Sequence, residues 1–449
     1  MQIITSVFFF IVAIGVLVTV HEFGHFWVAR RLGVKVLRFS IGFGKPLLSW
    51  HRRNDETEYV IAAVPLGGYV QMLDEHEGPV AEHEQDRAFN RKPLASRFAV
   101  VFAGPLFNFL FAIFAYWLVF MLGVSGLKPV VGDVTPESMA AMGGFRNGDI
   151  IRNVDGHETP TWNDVYLQLL DASISDRPVL IRVIDAQKDS QQRQLDFQGR
   201  SEQLDREHLM DSIGLHQYRP VLAPVIDKLE AGGAAQAAGL QPGDRILSVD
   251  STPMTSWEQW VAYVQVHPDQ ALNVVIRRDD QEMSLTLTPR LKAKVGHIGA
   301  TVRVPDGLAD EMNTTVRYTP WSALPQAMYK TWSMSMLTLR MLGKMITGSV
   351  SASSISGPIS IAQFAGYSAA IGFVAFMAYL ALISISLGVL NLLPVPVLDG
   401  GHLMYYLVEL VKGSPVSEQT QIIGQRIGIM VLVAVMMLAF YNDLARLFG

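Results

Sequence analysis

The sequence predicts a polytopic α-helical membrane protein with four transmembrane helices and a pair of repeated α/β domains inserted between spans two and three. Three observations carry this. Long tracts hold no charged residue: Ile3 to Val20, Phe98 to Val124 and Met345 to Leu398. Only 17% of the chain is charged, against about 25% in soluble domains. Between the tracts, a pattern that begins at Gly144 recurs from Gly239, an offset of 95 residues.

The first span runs from Ile3 through His21-Glu22-Phe23-Gly24-His25 to about Ala29, long enough for a hydrocarbon layer of roughly 30 Å. A cleaved signal peptide is a poor reading of this start. It has no basic leader and no small-residue cleavage site before the polar cluster. The second span is Phe98 to Val124. The strongest part of the third tract is Ile371 to Leu393, and the Gly- and Ser-rich stretch Gly357 to Ala370 reads as a loop or partial insertion. Ile427 to Tyr441 is the fourth span.

Basic residues orient these spans. Arg30, Arg31, Lys35 and Arg38 follow the first, and Arg91, Lys92 and Arg97 precede the second. The loop between them is therefore expected in the cytoplasm, with both termini and the insert outside. The net charge of -5 gives no case for a nucleic-acid partner. Cysteine is absent, so a metal must be held by His and carboxylate.

Within the insert, Gly144-Phe145-Arg146-Asn147-Gly148-Asp149-Ile150-Ile151-Arg152-Asn153-Val154-Asp155 matches the segment Gly239 to Asp250, and Trp162 matches Trp257. Each copy continues with a helical stretch and a strand, residues 179–184 and 272–277. Two homologous domains of about 90 residues follow. The boundaries read as 1–125 for the first membrane part, 126–220 and 221–310 for the repeats, 311–356 for a linker, and 357–449 for the second membrane part. Thr331 to Met345 has apolar residues at helical spacing and reads as an interfacial helix before span three.

The chemistry centres on His21, Glu22 and His25. Two histidines four apart share a helix face and can reach one zinc, while Glu22 beside them can exchange a proton with an activated water. Ionisable groups inside a span call for a partner or a function. His21 lies nine residues before Arg30, about 13 Å along the axis, which sinks the site into the cytoplasmic half of the layer. A catalytic zinc needs a third ligand. Asp399 is the candidate, because the first and third spans both run inward and end on the same side. The alternative for Asp399 is a cap on a helix over 401–411. His402 is a further nitrogen that either orients a ligand or meets headgroups. Pro394 and Pro396 break the helix just before Asp399.

The pair of segments His21–His25 and Asn391-Leu392-Leu393-Pro394-Val395-Pro396-Val397-Leu398-Asp399-Gly400-Gly401 resembles the site-2 protease family of intramembrane zinc metalloproteases. The repeated unit resembles the PDZ domain of bacterial envelope proteases, which makes the inserts tandem periplasmic PDZ-like domains. The resemblance implies Zn2+ on His21, His25 and Asp399, a catalytic Glu22, and an Asn391 that helps hold a substrate strand next to Pro394 and Pro396. It makes Val64 to Val70, with Gly67, Gly68 and Tyr69, a β element that dips into the membrane from the cytoplasmic side and pairs with unwound substrate. Ala103 to Asn108 resembles another family signature, with Asn108 near the site. The implied activity is cleavage of single-span membrane proteins in the bacterial inner membrane. The implied substrates are an anti-sigma factor already trimmed on the periplasmic side, in an envelope stress response, and remnant signal peptides. The PDZ-like domains either bind peptide or act as a spacer that filters by size. Two rival readings remain at this level: a peptide-binding membrane adaptor with an inactive metal site, and a zinc transporter. A transporter should carry polar residues through both leaflets, and the outer halves of these spans lack them.

Overall fold

A computed structural model describes residues 2–53, 55–200, 204–205, 208–292, 294–347 and 356–448. The chain divides into two compact units, Met1–Val124 with Thr315–Gly449, and Ser125–Thr314.

In the first unit, four helices among the described residues are long and apolar enough to cross a membrane: Ile3–Arg31, Leu94–Leu122, Phe373–Asn391 and Glu418–Leu447. The protein is a multi-pass membrane protein. Apolar side chains such as Ile427, Met430, Val433 and Met437 stand exposed along the last of these helices. Such a surface is at home in lipid and is too large for a soluble monomer. The second span is the hub. It packs against the first span, the third span, helix Pro320–Ile346 and helix Asp399–Lys412. Its buried side is built from small or polar residues, Ala103, Gly104, Asn108, Ala112 and Ala115 among them. Lipid is as apolar as leucine, so close backbone approach and interhelical hydrogen bonds take over the role of hydrophobic contact.

Several boundaries differ from the sequence reading. The second span starts at Leu94 and takes in Arg97, whose guanidinium bonds Glu409 at 2.6 Å and lies over the Tyr406 ring. The fourth helix extends well beyond Ile427 to Tyr441 at both ends. Thr331 to Met345 is the second half of a longer helix, Pro320–Ile346, capped by the Thr319 hydroxyl. The stretch Gly357 to Ala370, read as a loop or partial insertion, is the helix Pro358–Ile371. Its small residues serve packing: a Cβ on Gly366 would strike the Ser6 backbone of the first span. Pro358 occupies the first helical position, where its missing N–H costs nothing. The Asp443 carboxylate of the fourth span accepts from the amides of Gly357, Ile359 and Ser360 and from the Ser360 hydroxyl. Gly372, at φ 138°, separates this helix from the third span.

Between spans one and two, strands Val36–His51 and Glu58–Met72 form one sheet. The register doubles on itself: Phe39 lies opposite both Val70 and Tyr59, and Tyr59 also faces Trp50. The fold-back occurs at Gly42 and Gly44, with φ of 97° and 88°, a region that suits glycine. Val64 to Val70 is thus part of a long strand that packs on the first span.

The second unit contains the repeat. Two four-stranded sheets have the same order, one built from Ile150–Val154, His157–Glu158, Pro178–Ile184 and Ser190–Asp196, the other from Arg245–Val249, Thr252–Pro253, Leu272–Arg278 and Gln281–Leu287. Each copy buries its own core, Ile151, Val154, Leu169, Ile181 and Leu195 in the first, and Ile246, Val249, Trp260, Val274 and Leu287 in the second. The Gly-Asp pair of the repeat acts structurally. Asp149 and Asp244 are almost fully buried. Each accepts the backbone N–H three residues before it, from Arg146 and Gln241. Each also pairs with an arginine, Arg193 at 3.0 Å and Arg278 at 2.7 Å. The carboxylate recurs at the repeat offset; its arginine comes from a different strand in each copy.

Candidate active site

The first span presents His21 and His25 on one face, both buried. Helix Asp399–Lys412 begins with the third donor. Leu393, Val395 and Leu398 make a chain of tight turns through Val395 N–H to Leu393 O and Leu398 N–H to Val395 O. This irregular segment follows from Pro394 and Pro396, which cannot continue the third span. A Cβ on Gly400 would overlap the carbonyls of Leu392 and Leu393, and one on Gly401 would meet Pro396. The glycines let the chain turn tightly enough to bring Asp399 in. Leu398, not Asp399, is the N-cap of the helix, so the Asp399 side chain is free for the histidines.

Asp399 Oδ2 lies 3.2 Å from His21 Nε2 and 3.5 Å from His25 Nε2. The two imidazole nitrogens are 3.3 Å apart. Three donors at about 2.0–2.1 Å from one tetrahedral zinc stand about 3.3–3.4 Å from each other, so the triangle has the right size. Its chemistry agrees: two nitrogens and a carboxylate oxygen converge, and Asp399 Oδ2 is buried without a conventional hydrogen-bond partner. Among the described residues the cluster is His21, His25 and Asp399. These three residues form a zinc site. His402 lies outside it, its ring edge-on to Tyr405 at 6.3 Å.

The second span holds the histidines from behind. His25 Nδ1 is 2.8 Å from the Val100 carbonyl, to which it donates, leaving Nε2 for the metal. Asn108, fully buried, approaches His21 Nδ1 at 3.0 Å. Gly104 lies between, and a Cβ there would overlap His25 and come within 2.8 Å of His21 Cε1. Gly24 fits likewise against Ala103, where a Cβ would collide with the carbonyl. The Ser384 hydroxyl of the third span donates to the Asn108 carbonyl at 2.8 Å.

Glu22 sits next to His21 on the half-buried side of the helix. Gly68 comes up against it: a Cβ on Gly68 would stand 3.0 Å from Glu22 Cγ and 2.7 Å from the Ser40 carbonyl. Gly67 lies against the Phe43 ring, while Tyr69 stacks on Phe43 and takes a hydrogen bond from Arg38 at 3.2 Å. Asn391 ends the third span, and Pro396 packs against Gly401 and Gly424. The structure thus gathers His21, His25 and Asp399 into one cluster, with Asn108 against His21 and Gly68 against Glu22. Asn391 and Pro394 belong to the segment that leads to Asp399.

Val100, and the fit of Gly104 against the two histidine rings, escape the sequence reading. A signal was present. Val100, Gly104 and Asn108 are four apart, the same spacing as His21 and His25, so each set forms a stripe on one helix face.

The chain matches Peptidase family M50 over residues 9–435. It is similar to the Regulator of sigma E protease of Salmonella typhi, 49% identical over 444 residues and covering 98% of both chains. The Regulator of sigma-E protease RseP of Escherichia coli strain K12 is 48% identical over 445 residues, and Protease RseP of Yersinia pestis 46% over 454. These alignments cover 98% of both chains for the first and 100% for the second.

Proposed function

The chain belongs to Peptidase family M50, and from that premise we propose how its residues divide the work of cutting a peptide bond inside a membrane. The protein is an intramembrane zinc endopeptidase of regulated intramembrane proteolysis. In our reading Glu22 is the general base and acid. Its carboxylate takes a proton from water as oxygen bonds to the scissile carbonyl carbon, then delivers it to the departing nitrogen as the carbon–nitrogen bond breaks. Zinc held by His21, His25 and Asp399 supplies Lewis acidity and lowers the pKa of nearby water towards about 7.

The strand around Gly67, Gly68 and Tyr69 presents the substrate as an added strand, since its backbone reaches Glu22. Helical amides are closed to attack, so the substrate must unwind there. Asn391, Pro394 and Pro396 support the bound strand from the turn before Asp399. The substrate is a single-span membrane protein of the anti-sigma type in the bacterial inner membrane, a reading supported by relatives that are regulators of sigma E. The active site opens toward the cytoplasm and both termini are periplasmic, on the strength of the basic residues that flank the first loop. The two repeat domains, 126–220 and 221–310, are PDZ-like and exclude substrates that have not been trimmed. Excision of residues 126–310 should then release cleavage of an untrimmed substrate, and continued resistance of that substrate would sink the filter.

The observation that carries the catalytic reading is the zinc-sized triangle with Glu22 beside it. Glu22→Gln should keep zinc at one per chain and lower cleavage of a membrane-embedded reporter by at least about 100-fold. Cleavage at the unaltered rate overturns the role of Glu22.

A further inference from the structure

We propose that Asn108 is a positioning residue for the metal: its side-chain oxygen accepts a hydrogen bond from His21 Nδ1–H and so locks the ring with Nε2 toward the zinc. The inference rests on the zinc reading of the cluster. A neutral imidazole carries one proton. His21 Nε2 faces Asp399 and His25 Nε2 at 3.2 and 3.3 Å. To bind a cation there it must give up its proton, so the proton sits on Nδ1. The group 3.0 Å from Nδ1 is the Asn108 carboxamide, with its nitrogen toward the ring and its oxygen buried without a partner.

Two donors cannot bond each other. An NH2 pointing at Nδ1 fits only the tautomer with its proton on Nε2, and that tautomer cannot ligate zinc. Rotating the carboxamide by half a turn puts Oδ1 against Nδ1–H. Oxygen and nitrogen are nearly alike in size, so the network of protons assigns them. The rotation exchanges one unpartnered atom for another; the proton on the ring decides it.

The rest of the site supports a positioning role. His25 already has this arrangement, with Nδ1 donating to the Val100 carbonyl at 2.8 Å. Asn108 lies two turns further along the same helix face, and it is held in place by the Ser384 hydroxyl on its backbone carbonyl at 2.8 Å. The second span thus offers one oxygen acceptor to each zinc-binding histidine, one from backbone and one from a side chain.

The test is zinc affinity, measured by chelator competition on full-length protein in detergent. Asn108→Asp has nearly the same shape and only acceptors. Asn108→Leu has a similar size and no acceptor. The unaltered protein and Asn108→Asp should bind zinc equally within error. Asn108→Leu should bind about 10- to 100-fold more weakly. Loss of zinc in Asn108→Asp overturns the proposal, because it marks the amide as a donor. Unchanged affinity in Asn108→Leu also overturns it. If Asn108→Leu does not fold, Asn108→Asp decides alone. Absence of zinc from the unaltered protein instead refutes the metal reading itself, and the proposal with it.

Discussion

Gly104 faces His25 so closely that a single added methyl group would overlap the imidazole nitrogen that points to the metal. The zinc site is therefore set as much by what the second span omits as by what the first span supplies. Helical glycine costs about 1 kcal/mol relative to alanine, and here it makes room for two rings. Gly104→Ala should improve intrinsic helix propensity and yet weaken zinc binding at least about tenfold, because a buried, close-packed site cannot absorb a methyl group without moving a ligand. Gly15→Ala, with open space around it, is the control and should leave zinc unchanged. Metal analysis of both variants decides.

Arg97 and Glu409 join the second span to the helix that starts at Asp399. Their side chains are 16% and 15% exposed, which marks a shielded pair. A double-mutant cycle on Arg97→Ala and Glu409→Ala, read by thermal unfolding in detergent, should give a coupling of about 1–3 kcal/mol. Coupling near zero would place the pair among ordinary surface contacts.

Asp443 accepts four hydrogen bonds at the start of helix Pro358–Ile371. Asparagine keeps one acceptor oxygen but turns an NH2 towards backbone donors. Asp443→Asn should therefore loosen the first turn of that helix by about 1.5–3 kcal/mol. Amide hydrogen exchange of residues 356–362 should accelerate by roughly tenfold or more, with little change in the first span.

Asp149 and Asp244 should behave alike despite the different strands that supply their arginines. Removing either carboxylate takes the charge partner from Arg193 or Arg278 and leaves the backbone N–H of Arg146 or Gln241 without its acceptor, at a cost of about 1–3 kcal/mol. Asp149→Ala and Asp244→Ala should each increase limited proteolysis within their own repeat. If the pair served ligand binding alone, neither change would alter proteolysis in the absence of ligand.

The chain has no cysteine, so a single cysteine near Asp399 can report its side of the membrane. Labelling from the cytoplasmic side alone is the expected result; periplasmic labelling would reverse the proposed orientation.

Much of this was legible in the sequence because the relevant signals are local. A charge-free tract reads as a span, two histidines at i and i+4 read as one face, and a duplicated Gly-Asp turn reads as a repeat. Composition misled at Gly357 to Ala370. Small residues that look loop-like in water are packing residues between helices in lipid, and the Asp443 carboxylate that anchors that helix lies more than 80 residues away.

By itself, then, the sequence determined the spans, the repeat, the metal-binding residue types and the glycines, all of which depend on hydropathy, spacing or backbone freedom within one segment. Only the tertiary structure decided that Asp399 closes a triangle with His21 and His25, that Val100 and Asn108 stand behind the two rings, and that Gly68 reaches Glu22. Those are contacts between segments distant in the chain. Their separations of a few ångströms arise from helices packed through small residues, and no local pattern encodes such a distance.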